Sequence, residues 1–143
     1  MRSKTMLLVE DNPDDVELAL RAFAKHGMVH QITVARDGME ALALLHGSAP
    51  EAEPALVPEV VLLDLNLPLL NGHEVLRRLR ADPRTRRIPV VMLTSSQEDK
   101  DILASYDLGA NSFVQKPVDF LEFVEAARQL GQYWLLLNQS PNR

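Results

Sequence analysis

Three stretches of this chain, Met6–Val9, Val60–Leu63 and Val90–Leu93, are apolar at every position. A strand with one wet face alternates apolar and polar residues, whereas an unbroken apolar strand is covered on both faces. Between these runs lie segments whose apolar residues recur three and four apart, the spacing of one helical face. Strands buried on both faces and alternating with helices leave few architectures. The simplest is a parallel sheet with helices on either side, joined by right-handed crossovers.

The remaining elements fit that plan. Asn12 and Pro13 open the first helix, a capping side chain followed by proline at the first helical position. Val16, Leu20 and Phe23 share one face of it, and Gly27 ends it. Gln31–Ala35 is predicted as the second strand and Asp37–Leu45 as the second helix. Gly47–Pro58 carries three prolines and no periodicity, so it reads as a long surface loop. The third helix is Gly72–Arg80, and ADPRTRR after it reads as a solvated polar turn. Glu98–Leu108 is the fourth helix, closed by Gly109, and Ser112–Val114 is a short fifth strand. Asp119, with Glu122 three residues on, resembles a capping box for the last helix. The result is an α/β chain with a doubly wound, five-stranded parallel sheet.

A length of 143 residues suits one domain with a proper core, and we expect residues 1–143 to form it. The chain has no cysteine, which removes thiolate catalysis, zinc–thiolate sites and disulfides. Its formal net charge of -5 argues against a nucleic-acid surface, which is usually basic. No apolar stretch approaches the roughly 20 residues of a membrane span, and MRSKTMLLVEDN lacks a secretory core. A cytoplasmic protein is expected. His26, His30, His46 and His73 show no ligand spacing and read as surface residues.

In open parallel sheets, ligands bind at the carboxyl ends of the strands. Here strand 1 ends in Glu10 and Asp11, strand 3 in Asp64, and strand 4 in Thr94 with Ser95 and Ser96 behind it; Lys116 and Pro117 follow strand 5. A carboxylate directly after the apolar run Val60–Leu63, as in VPEVVLLDLNLP, is hard to explain as a residue seeking water. Three carboxylates at one rim repel unless a cation joins them. Hard oxygen ligands favour Mg²⁺ or Ca²⁺, and a few carboxylates with room for a phosphate suit Mg²⁺. Lys116 and Thr94 offer the charge and the hydroxyl that a phosphoryl oxygen requires. An aspartate in such a place can act as nucleophile toward phosphorus.

The motifs VEDN at Val9–Asn12, LLDLNLP at Leu62–Pro68, Gly72, MLTSS at Met92–Ser96 and QKPVDF at Gln115–Phe120 come in a specific order and spacing. By them the chain resembles the receiver domain of two-component response regulators, over nearly its whole length. The resemblance implies a flavodoxin-like sheet in the order 2-1-3-4-5. It implies that Asp64 accepts a phosphoryl group from a sensor histidine kinase. Asp11 and Asp64 would bind Mg²⁺, with Glu10 acting mainly through water and Asn66 through its main-chain carbonyl. Lys116 would hold a phosphoryl oxygen across a cis Lys116–Pro117 bond, and Thr94 and Phe113 would be the switch residues. The first acid is Glu10 where many members have Asp. NPDDVELALRAF, RDGMEAL, SYDLGANSFVQKPVDF and YWLLLN are similar to the small regulators paired with bacterial phytochromes.

Other functions fit less well. A strand-end-aspartate phosphatase needs a second acid two residues on, where this chain has Asn66. A flavodoxin needs a phosphate-binding loop after strand 1, and EDNPDD would repel a phosphate. A pseudo-receiver, a binding module with a dead site, would not keep Asp11, Asp64, Thr94 and Lys116 together. With no DNA-binding segment after the last helix, output is expected through protein contact, a phosphorelay step or competition for phosphate. Phe120, Phe123, Val124, Ala127, Leu130 and Trp134 form a core stripe on that helix, but Tyr133–Leu137 is apolar all round. We expect either that the tail folds back or, as the sharper reading, that Tyr133, Trp134, Leu136 and Leu137 join a homodimer contact with helix 4, strand 5 and the last helix.

Overall fold

The computed structural model describes residues 4–47 and 56–141. Its strands are β1 (Met6–Val9), β2 (Ile32–Ala35), β3 (Val60–Leu63), β4 (Val90–Thr94) and β5 (Ser112–Gln115). All neighbours run parallel in the order β2-β1-β3-β4-β5. The helices are α1 (Pro13–Ala24), α2 (Gly38–His46), α3 (Gly72–Ala81), α4 (Asp99–Asp107) and α5 (Phe120–Gly131). The predicted sheet, its order and its five helices are therefore present.

The unbroken apolar runs feed two cores. Side chains alternate across a strand, so one run supplies both faces. Leu7, Val9, Val61, Leu63, Val90 and Met92 meet Leu42 and Leu45 of α2 and Val75, Leu76 and Leu79 of α3. Met6, Leu8, Val60, Leu62, Val91 and Leu93 meet Phe23 of α1 and Phe123, Ala127 and Leu130 of α5. Each fully buried side chain of this size contributes roughly 1.5–3 kcal/mol, which explains why the three central strands carry no polar residue before their ends.

The starts of α1, α2, α3 and α5 are fixed by side-chain caps. Asn12 Oδ1 accepts from the backbone N–H of Asp14 and Asp15, Asn71 from Glu74, and Asp119 from Glu122. Each satisfies amide donors that no helical carbonyl can reach. At the rim beyond β4, α4 starts at Glu98 without a side-chain cap; Ser96 Oγ accepts from Glu98 N–H and donates to Asp101.

Several expectations are corrected. Val29–Gln31 is a turn of 3₁₀-helix, so β2 begins at Ile32; β4 extends to Thr94. Most of the predicted Gly47–Pro58 loop lies outside the described residues. The ADPRTRR turn is not merely solvated. Thr85 is fully buried and its hydroxyl donates to Leu79 O at 2.7 Å. Arg80 just before it donates to the carbonyls of Arg86, Ile88 and Gly109 and to Asn111 Oδ1. Three of the four histidines are partly buried and hydrogen-bonded: His26 to Val124 O, His46 to Thr85 Oγ1 and His73 to Ser105 Oγ.

After α5 the chain widens into a π-helical turn, Gln132–Leu137. Leu135 turns into the α1–α5 core and is 3% exposed, and its carbonyl accepts from Lys4 Nζ at 2.9 Å. Trp134 packs partly against the same core and meets Tyr133 edge to face, with ring centroids 4.9 Å apart. Leu136 and Leu137 stay exposed, at 72% and 69%.

Candidate functional site

The carboxyl ends of β1, β3, β4 and β5 meet at one rim, and the parallel ladder carries the chain directly into it. Asp64 N–H still donates to Val9 O, Glu10 N–H to Ala35 O and Lys116 N–H to Thr94 O. The backbone at each functional residue is thus held by the last rung of the sheet.

Glu10, Asp11 and Asp64 present carboxylate oxygens that all lie within 4.8 Å of one another. Glu10 and Asp64 are buried, while Asp11 lies toward solvent. Lys116, itself buried, reaches into the cluster. Its Nζ pairs with Glu10 Oε1, lies 3.0 Å from Asp15 Oδ2 and 3.5 Å from Asp64 Oδ2. Burial pushes the Glu10 carboxyl above its usual range and Asp64 adds to the rise, against the opposing pull of Lys116. Burial acts to lower the Lys116 pKa, but its carboxylate partners outweigh that, and the ammonium is raised to about 12. Lys116 therefore serves as the internal counter-ion of the acidic cluster.

Asp64 is steadied from the other side by its own loop. Asn66 N–H donates to Asp64 Oδ1 at 3.3 Å. Gly72, the first residue of α3, lies against the Asp64 backbone, where a Cβ would come within 2.3 Å of Asp64 O. Only glycine permits that approach. Thr94 is fully buried, and its Oγ1 accepts from Ser96 N–H at 3.4 Å. Phe113 pairs with Met92 across β4 and β5, which sets it on the same sheet face as Thr94; its ring is half-buried against the α2–α3 core.

The structure thus brings together Glu10, Asp11, Asp64, Lys116 and Thr94, all foreseen from the sequence. The expected cis bond is corrected: every described peptide is trans, Lys116–Pro117 included. Trans is favoured for an X–Pro bond by about 0.5–1 kcal/mol, and Lys116 makes its three ion pairs from it. Sequence reasoning missed Asp15 as a partner of Lys116. The signal was present in EDNPDD, since Asp15 falls in the first turn of the helix that leaves this rim.

The donor set consists of hard carboxylate oxygens, which suits a divalent ion of the Mg²⁺ kind and not a softer metal.

A family model described as "Response regulator receiver domain" matches residues 6–128. The chain belongs to the response regulator receiver domain family. Receiver domains take phosphoryl groups from histidine kinases in two-component signalling. This receiver is 40% identical over 136 residues to the probable methanogenesis regulatory protein FilR2 of Methanothrix harundinacea, covering 95% of this chain and 86% of that protein. It is 36% identical over 132 residues to response regulator Rcp1 of Synechocystis sp., covering 92% and 89%. Among solved structures, the phosphorylated cyanobacterial phytochrome response regulator RcpA superposes with a TM-score of 0.88 at 38% identity, over 98% of this chain and 99% of the other. The Mn²⁺-bound form of Rcp1 gives 0.85 at 34% identity, over 97% and 99%. That relative carries a divalent ion, in keeping with the acidic cluster of this receiver.

Proposed function

We propose that Asp64 takes a phosphoryl group from a phosphohistidine of a sensor histidine kinase. The observation that carries this is a buried strand-end carboxylate facing an ammonium 3.5 Å away, inside a cluster with Glu10 and Asp11. In the transfer an Asp64 oxygen forms the new P–O bond as the P–N bond to the donor imidazole breaks. Lys116 offers its charge to a phosphoryl oxygen, and the Thr94 hydroxyl donates to another once it leaves Ser96 N–H. Mg²⁺, held by Asp11, Asp64, the Asn66 carbonyl and, through water, Glu10, would neutralise charge on the phosphoryl oxygens. The chain's own chemistry ends with self-phosphorylation and slow hydrolysis of the acyl phosphate. A phosphatase reading is disfavoured because Asn66 cannot give a proton to a leaving group, and a pseudo-receiver because Asp64 and Lys116 stand together. Similarity to RcpA and Rcp1 supports a phytochrome-type kinase as donor. No described helix is long and apolar enough to cross a membrane, in keeping with a cytoplasmic role.

The test is incubation with acetyl phosphate and Mg²⁺, then intact mass. One phosphoryl group should appear on the wild type and none on Asp64→Asn, with both proteins folded. Stable label on another residue defeats the assignment.

Homodimerisation belongs to the same reading. Tyr133, Leu136 and Leu137 are exposed beyond α5, and Leu103 and Tyr106 are exposed on α4. A self-complementary contact through α4, β5, α5 and this tail would cover them. Trp134 is engaged mainly with its own core, so Leu136→Ser with Leu137→Ser is the cleaner probe. Light scattering should show a dimer that this pair converts to a folded monomer. A wild type that is monomeric at tens of micromolar, phosphorylated or not, overturns the dimer.

A further inference from the structure

α4 is held differently from the other helices. Its single buried residue is not apolar but Ser105, while Leu103 is 65% and Tyr106 49% exposed. What seats it is a run of polar contacts. Ser105 Oγ donates to Asp101 O at 2.7 Å, one turn back along α4. His73 Nε2 lies 2.9 Å from the same Oγ. A hydroxyl has one proton, and a carbonyl can only accept. The Ser105 proton is therefore committed to Asp101 O, and His73 must be the donor from Nε2–H. The near end of α4 is tied in the same manner, by Ser96 Oγ to Asp101 Oδ2 at 2.6 Å, and Ser96 N–H donates to Thr94 Oγ1.

Both ends of this run reach the Asp64 site. Thr94 is one end. At the other, His73 follows Gly72, whose backbone lies against Asp64 O and whose N–H donates to Leu65 O. A change at Asp64 thus meets α4 from two directions, through the loop after β4 and through the first turn of α3.

We propose that His73 is a positioning residue that fixes α4 against α3 through Ser105, so that α4 senses the phosphorylation state of Asp64. The second clause rests on the phosphoacceptor reading above; the first does not. Sub-ångström movement at Gly72 or Thr94 strains contacts that little apolar packing backs up, Leu108 at the α4 C-cap meeting the α2–α3 core, and α4 shifts as a unit. The exposed Leu103 and Tyr106 ride on the element that moves.

Amide hydrogen exchange across residues 99–107 tests this in the full chain. His73→Ala and Ser105→Ala should each speed exchange of α4 about fivefold or more, the effect of losing one hydrogen bond, and leave α5 unchanged. His73→Gln, whose amide N–H can meet the same oxygen, should restore wild-type protection, which a merely space-filling role would not predict. Each protein is then treated with acetyl phosphate and Mg²⁺, with phosphoryl gain read by mass. Phosphorylation should alter α4 exchange in the wild type and His73→Gln and alter it less in both alanine variants, which keep only the Thr94–Ser96 route. Wild-type α4 protection in either alanine variant overturns the proposal, as does a phosphorylation response of full wild-type size in them. If no variant gains a phosphoryl group, the Asp64 reading fails, and the comparison of untreated proteins still decides whether His73 holds α4.

Discussion

Replacing Lys116 by Met keeps most of the stem and removes the one ammonium among Glu10, Asp15 and Asp64. A rise in pKa from 10.5 to about 12 corresponds to about 2 kcal/mol in favour of the charged form on folding. The sign is favourable throughout the working range. A raised lysine contributes its full stability below the unfolded pKa and loses it only as pH climbs through about 12. Removing one partner of a buried pair costs about 3–5 kcal/mol because the other charge is stranded. Two features soften that here. Asp15 is partly exposed, and Glu10, already raised by burial and by Asp64, can take a proton. We therefore expect Lys116→Met to lose about 2–4 kcal/mol in metal-free urea denaturation near pH 8. The loss should shrink as pH falls and Glu10 protonates, since a group whose folded pKa is raised favours the folded state at lower pH. Mg²⁺ should restore part of the loss by supplying the missing cation. A variant as stable as the wild type at pH 8 without metal would show that Lys116 is not the counter-ion.

Two further outcomes are expected. Asp11→Asn should lose the Mg²⁺-dependent rise in melting temperature seen in the wild type and, with less repulsion in the cluster, melt no lower without metal; a full wild-type response to Mg²⁺ removes Asp11 from the ligands. His46 is lowered chiefly by burial, with Asp82 opposing. The unfolded chain therefore takes up its proton first, so stability should fall as pH drops below about 6.5, and His46→Gln should flatten that part of the curve in urea midpoints.

The site was legible in the sequence to the extent that topology alone positions it. A parallel sheet puts the residue after each strand at one rim, so Glu10, Asp64, Thr94 and Lys116 could be grouped by counting from the ends of apolar runs. No such rule covers residues whose partners depend on how loops and helices settle on the sheet. Asp15 reaches Lys116 because of the angle at which α1 leaves β1. Arg80 and Thr85 look like surface residues until the α3–β4 turn folds over them and supplies carbonyls. His73 has no pattern around it at all; its meaning comes from Ser105, 32 positions away.

The tail shows the same division at the scale of single residues. YWLLL is apolar in every direction, so periodicity cannot say which side chain goes inward. The widened π-helical turn decides it, sending Leu135 into the core and leaving Leu136 and Leu137 outside. Fold-back, one of the two alternatives the sequence posed beside a homodimer contact, is realised by Leu135, while Leu136 and Leu137 stay exposed. Lys4 and the α1–α5 core account for Leu135. Only the two leucines after it and Tyr133 still need a partner. A contact built on three side chains, each worth roughly 1.5–3 kcal/mol when fully buried, must recruit further surface to hold a dimer. Exposed apolar side chains on the elements of the proposed contact include Leu121 of α5 and Leu103 and Tyr106 of α4; α4 is the helix seated by His73, so loosening that seat should weaken the proposed dimer as well.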